Sequence, residues 1–187
     1  MEIRLRPNTR DGKRKLMSAA SVLFANGSLQ GVSVAQILEH SGVKAPSLYH
    51  HFQDKEGLYV AWATQTLAEL GADLKSATSI EQFINILLDG ARVDYLQINR
   101  DLRDLSEQVN RDEIRESIQL NLIAPATALI KTLHPEITDE ELIEEASFLL
   151  HAAMYGHPIY ASMRKGTRIN GRMATWLANK NSGGTKN

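Results

Sequence analysis

Cysteine is absent from the 187 residues. That excludes disulfide scaffolds, thiol catalysis and cysteine-ligated zinc or iron–sulfur sites, and it suits a reducing compartment. The opening MEIRLRPNTRDGKRK carries charge but no apolar segment behind it, so no secretory signal is expected. The longest uncharged run, residues 146–163, contains His151, Gly156, His157, Pro158 and two serines, which reads as a buried helix rather than a membrane span. A cytoplasmic protein without a membrane partner is the expectation. Catalytic signatures are missing too: there is no Gly-rich phosphate loop, nucleophile elbow or HExxH pair. His151 and His157, six apart, fall on different helix faces and would not share a metal. Glu140, Glu141, Glu144 and Glu145 cluster at a helix start, where they complement the helix dipole and face solvent. No enzyme activity, no metal and no cofactor are expected.

Residues that are 43% hydrophobic and 23% charged place the chain among ordinary globular proteins. The net charge of −1 says little, but its distribution is uneven. Residues 1–60 carry eight Lys/Arg against five acids, for +3, and the rest sums to −4. A basic front on an acidic back suits a protein that meets a polyanion with one end.

Periodicity and punctuation predict helices throughout and no strand. A first helix over 10–26 places Leu16, Ala20, Leu23 and Phe24 on one face, with Gly27 as its C-cap. Ser33 and Gln36 form a capping box for a short helix through His40, Gly42 turns the chain, and Pro46 suits the first position of a third helix. Asp54 can cap a fourth helix carrying Leu58, Ala61 and Trp62. Capping boxes at Ser79/Gln82, Asn110/Glu113 and Thr138/Glu141 propose helices over 79–99, 112–133 and 139–163. A short helix is placed near 102–109 and a last one over 168–180. Pro125 and Pro158 should kink their helices. The fold class is all-α: a three-helix helix-turn-helix domain over 1–54, a larger helical domain over 55–181, and a disordered tail, 182–187.

Ser33 to Phe52 is the helix-turn-helix candidate. Ile37, Leu38, Val43 and Leu48 would pin its second helix against its first. The opposite face then carries Lys44, Ala45, Ser47, Tyr49, His50 and His51, which offer hydrogen bonders and cations to base edges and phosphates. Ser33, at a helix start, and Lys55, one turn past the motif, suit phosphates. Tyr49 has a second reading, bracing the first helix with its ring. Arg4 and Arg6 read either as a solvated end or as an arm for the minor groove.

The run from Val32 to Leu58 closely resembles the DNA-binding domain of the TetR family. The residues that carry it are Gly42-Val43, Leu48-Tyr49-His50-His51-Phe52 and Asp54-Lys55-Glu56-Gly57-Leu58, with Leu23-Phe24-Ala25-Asn26-Gly27 upstream. The resemblance implies a homodimeric repressor on a palindromic operator, with Ser33, Val34 and Ala35 at the groove edge. It also implies that Lys44, Ala45, Pro46 and Ser47 open the recognition helix, that Tyr49 and His51 meet the backbone, and that Lys55 meets a phosphate. Ala35 and Ala45 stand where some members carry long polar side chains, which shifts base reading towards Lys44 and His50, with Ala45 suited to a thymine methyl.

The resemblance further implies an effector pocket and a dimer interface in the second domain. Trp62, Phe83, Leu87, Tyr95, Asn121, Phe148, His151 and Tyr155 are the pocket candidates, for an unidentified small molecule. Apolar residues on two faces of the helix from Asp139, together with the last helix, suggest an intersubunit bundle. Its candidates are Leu142, Leu149, Ala153, Gly156, Met173, Trp176 and Leu177. A DNA-organising or division-control factor with the same head is the alternative, and a helical small-molecule binder or enzyme with a vestigial motif is the third reading.

Overall fold

A computed structural model describes residues 9–89, 95–147 and 149–150, and all regular structure among them is helical. In chain order these are α1 (Thr9–Leu23), α2 (Val34–Ser41), α3 (Ala45–Phe52), α4 (Lys55–Leu74), α5 (Ile80–Asp89), α6 (Tyr95–Asp101), α7 (Gln108–Ile118) and α8 (Ala124–Leu133). A π-turn, Gln119–Ile123, joins the last two, and residues 139–147 are helical as well. The helix expected over 168–180, the kink at Pro158 and the tail lie outside the described residues.

Of the described residues, those through Ala68 and those from 95 to Ser117 form one compact unit. Residues from Glu69 to 89 and from Ile118 onward form a second. This division by packing differs from the expected boundary after residue 54, because Leu58, Tyr59 and Trp62 of α4 are buried in the first unit.

In that unit α1 packs on α2 and α3. Leu16, Ala20 and Phe24, expected on one face of α1, are all buried, as are Ile37 and Leu48 of the two short helices. Phe24 stacks edge-on against Tyr59 at 5.0 Å and lies 5.4 Å from Trp62, with Tyr59 and Trp62 5.3 Å apart. Pairs of this kind contribute about 0.5–1.5 kcal/mol beyond their buried area.

The caps correct several expectations. The Ser33 box forms in full: Ser33 Oγ accepts from Gln36 N at 3.2 Å while Gln36 Oε1 accepts from Ser33 N at 2.8 Å. Gly42 is the left-handed C-cap of α2 (φ 63°), its N–H donating to Leu38 O at 3.0 Å. Gly27 is not a C-cap: α1 ends at Leu23, and the Asn26 side-chain amide takes the carbonyl of Val22 at 2.8 Å instead. Pro46 is the second residue of α3, not the first. The Ser79 box is split, since Gln82 Oε1 accepts from Thr78 N (2.9 Å) rather than from Ser79. Asn110 caps nothing: α7 starts at Gln108, and Asn110 Nδ2 donates to Glu56 across 3.5 Å. Thr138 and Glu141 make the box as expected, at 3.1 and 3.3 Å. The short helix sits at 95–101 rather than 102–109, and residues 102–107 are turn and loop.

Between α3 and α4 the chain makes a three-residue turn. Asp54 N donates to Phe52 O at 2.8 Å around Gln53, whose φ of 67° and ψ of −51° fall in a strained region. Asp54 then caps α4 through Gly57 N at 2.8 Å, as the sequence suggests. Gln53→Gly is expected to raise stability by about 1 kcal/mol, because glycine occupies this conformation without Cβ strain. A lower melting temperature in the variant would show the turn to be unstrained.

In the second unit α5 packs on α8, with Phe83, Ile84, Leu87, Leu129 and Ile130 buried. Gly71 of α4 lies so near the π-turn that a Cβ there would stand 2.7 Å from Asn121 Cβ and 2.9 Å from its Cα. The kink expected at Pro125 takes the form of this π-turn. Proline has no N–H to offer the carbonyl four residues back, and its ring crowds that carbonyl; the wider turn, with Ala124 N bonded to Gln119 O, relieves both.

Candidate nucleic-acid interface

The outer face of α3 is built by subtraction. Leu48 and Phe52 point inward and are buried, which turns Lys44, Pro46, Tyr49 and His50 outward. Tyr49 is 54% exposed, so its ring is not a core brace against α1. Ser33 and Ala35 at the start of α2 are exposed beside Val34, half-buried. Ala45, Ser47 and His51 are half-buried at the edge, where α1 comes close. A Cβ on Gly12 would stand 2.8 Å from Ser47 Oγ and 3.6 Å from His51 Nε2, so glycine in the body of α1 sets that approach.

Charge on this side is mostly positive. Lys13 lies with its ammonium 5.8 Å from the Phe52 ring centre, and Lys44 is exposed at the head of α3. Asp11 accepts from Arg14 at 2.6 Å and pairs with Lys15 at 2.9 Å. Those hydrogen bonds, Lys15 first and Arg14 second, hold its carboxyl below the usual range. The His50 and His51 rings meet edge-on at 4.9 Å.

Lys55, expected at a phosphate, is also tied to the protein itself. Its Nζ donates to Leu29 O at 2.8 Å and Val32 O at 3.0 Å, closing the α1–α2 loop from below. Two of its three donors are committed to the protein itself.

The described pocket candidates are divided between the two units. Trp62 belongs to the aromatic cluster of the first unit, and its ring is consumed by Phe24 and Tyr59. Tyr95 opens α6 in that same unit. Phe83 and Leu87 are buried on α5, and Asn121 sits in the π-turn against Gly71, all in the second unit. Phe148, His151 and Tyr155 lie outside the described residues. Of the dimer candidates, Leu149 is fully buried within the single chain and offers no surface to a partner, while Leu142 is half-buried. On the same helix it is Ile143 that is open, at 60% exposure. Ala153, Gly156, Met173, Trp176 and Leu177 lie outside the described residues. Among the described residues no three His, Asp or Glu gather as metal ligands, and no helix is long and apolar enough to cross a membrane.

Gly12, Gln53, Gly57 and Asp101 all shape this unit, yet none was a candidate from sequence. A glycine inside a helix, as at Gly12 and Gly57, is the signal that points to close approach. Asp101 gives no such signal, since its partners lie far away in the chain.

Two short helices locked at an αL glycine, the second presenting a polar and cationic face, define a helix-turn-helix protein. Residues 16–62 match the family of bacterial regulatory proteins described as the tetR family. The helix-turn-helix transcriptional repressor AcnR of Corynebacterium efficiens is 26% identical over 102 residues, covering 54% of this chain and 53% of that protein. AcnR of Corynebacterium glutamicum is 24% identical over 104 residues, covering 56% and 54%. The chain thus spans about half the length of the curated relatives it matches. A TetR-family regulator from Cytophaga hutchinsonii aligns with a TM-score of 0.67 at 16% identity, covering 98% of this chain and all of that one. A second, from Legionella pneumophila, gives 0.66 at 16% identity over 90% and 95%. At that identity the likeness is one of fold.

Proposed function

We propose that the chain is a DNA-binding transcriptional repressor, acting as a homodimer on a palindromic operator and released by a small molecule bound in its second unit. The observation that carries this is the outer side of α3: Lys44 at its N-cap, Tyr49 and His50 are exposed while Leu48 and Phe52 anchor the helix from behind. Lys44 and His50 suit base edges, and Tyr49 with the α2 start at Ser33 suits phosphates. Repression is supported by the curated relatives, both repressors over the half that aligns. In this mechanism the effector binds one conformer better than the other, and that difference alone sets how far DNA is released.

Selection of random duplex DNA on the immobilised full chain tests it. An inverted repeat with half-sites about one helical turn apart is the expected product. Pools without sequence enrichment at moderate salt would refute specific binding, and enriched but non-repeated sequence would refute the dimer. Affinity untouched by any cell extract would favour the DNA-organising alternative.

A further inference from the structure

The first unit contains a carboxylate that the interface does not use. Asp101, at the end of α6, is 1% exposed. Its Oδ2 accepts from Leu29 N at 2.9 Å and from Tyr59 Oη at 2.9 Å, and its Oδ1 accepts from Gln97 Nε2 at 2.5 Å. Burial, the Asp101 charge and this hydrogen bond push the Tyr59 hydroxyl well above its ordinary range, so it remains a donor. Leu29 is itself 1% exposed and sits in the loop between α1 and α2. Its peptide is gripped from both sides, the N–H by Asp101 and the carbonyl by Lys55.

The segment after Asp101 docks nearby. Ser106 N and Oγ both donate to Glu56 in the first turn of α4, at 3.0 Å to Oε2. Arg111 ties the loop down from behind by donating to the carbonyl of Leu105. The helix-turn-helix is thus braced by residues well outside the 16–62 match.

We infer that Asp101 is a positioning residue for DNA binding: by holding the Leu29 amide it fixes the α1–α2 loop, and with it the start of α2 at Ser33. The inference rests on the repressor reading above. A buried carboxylate is costly to desolvate unless it is hydrogen-bonded, and the three donors that offset this cost fix Asp101 to the Leu29 amide, Tyr59 and Gln97. The loop it holds leads within four residues to Ser33, and a start of α2 displaced by a fraction of a hydrogen-bond length spoils groove fit while leaving the charge of the face intact.

The test compares the wild-type full chain with Asp101→Ala on two duplexes, the fragment recovered by selection and one of scrambled sequence. The variant is expected to lose about tenfold in affinity for the selected fragment and less than about twofold for the scrambled one, with an unchanged salt slope. A role confined to stability would lower both affinities together, and that outcome, or no loss on the selected fragment, overturns the inference. Should the variant fail to fold, hydrogen exchange of the wild type decides: the Leu29 amide must be protected like the core of α4, and fast exchange there overturns the inference. A wild-type chain that prefers no fragment fails the repressor reading itself, a result distinct from a wild type with preference and a variant that keeps it.

Discussion

Gly57→Ala is expected to destabilise the chain by about 3 kcal/mol, lowering the melting temperature by roughly 6–12 °C. A Cβ at position 57 would stand 2.0 Å from the carbonyl oxygen of Phe52 and 3.1 Å from its carbon. Both are backbone atoms, so no side-chain rotation relieves the clash. That carbonyl also accepts the Asp54 N–H that closes the turn at Gln53, so moving it breaks the turn. Two rigid elements must therefore part, and overpacking against backbone exceeds the usual cost of an added methyl. Thermal unfolding followed by circular dichroism measures it. A shift under 2 °C would show that the α3–α4 junction yields easily and that its geometry is not specified.

Lys44→Ala combined with Tyr49→Ala is expected to weaken binding to the selected duplex by about 100-fold, with folding unaffected because both side chains are exposed. Only one of the two is a cation, so the dependence of affinity on salt should become shallower by about one counterion. Lys55→Met provides the contrast. It orphans two carbonyls in the α1–α2 loop and is expected to cost about 1–3 kcal/mol of stability while the salt slope stays put. Titrations over a range of salt, alongside melting curves, separate the two effects. A Lys55→Met variant of normal stability that lost one unit of slope would return Lys55 to the phosphate role that its place in the motif suggests.

The first unit was legible in the sequence where local rules act alone. Ser33 with Gln36, Gly42, and Asp54 each announce a helix end within a few residues, and each end is where it should be. Leu16, Phe24, Ile37 and Leu48 follow from period, because a helix has one inner face. What local rules miss is competition. Asn26 takes the carbonyl that a capping Gly27 would have served, and Asn110 is drawn to Glu56 and so caps nothing. Lys55 looks like a surface cation from its neighbours in sequence, and only the fold brings Leu29 and Val32 to it. Trp62 has the size and position of a pocket wall, but its ring, that of Tyr59 on α4 and that of Phe24 just past α1 satisfy one another first. In the second unit the apolar pattern identifies helices without saying which faces meet, so Leu149, a candidate for the dimer face, is buried in its own chain while Ile143 is exposed.

The junction at Gln53 works as a weld rather than a hinge. With α3 ending at Phe52 and α4 beginning at Lys55, only Gln53 and Asp54 are left to take up play, and Asp54 is held by its bonds to Phe52 O and Gly57 N. A tilt at the base of α4 is passed largely to the reading helix, because the Gln53 backbone already sits in a steep part of its energy surface and Asp54 is tied at both ends. A descendant of this chain that needed a more forgiving grip on varied operators would gain it by lengthening this joint, not by repainting the surface of α3.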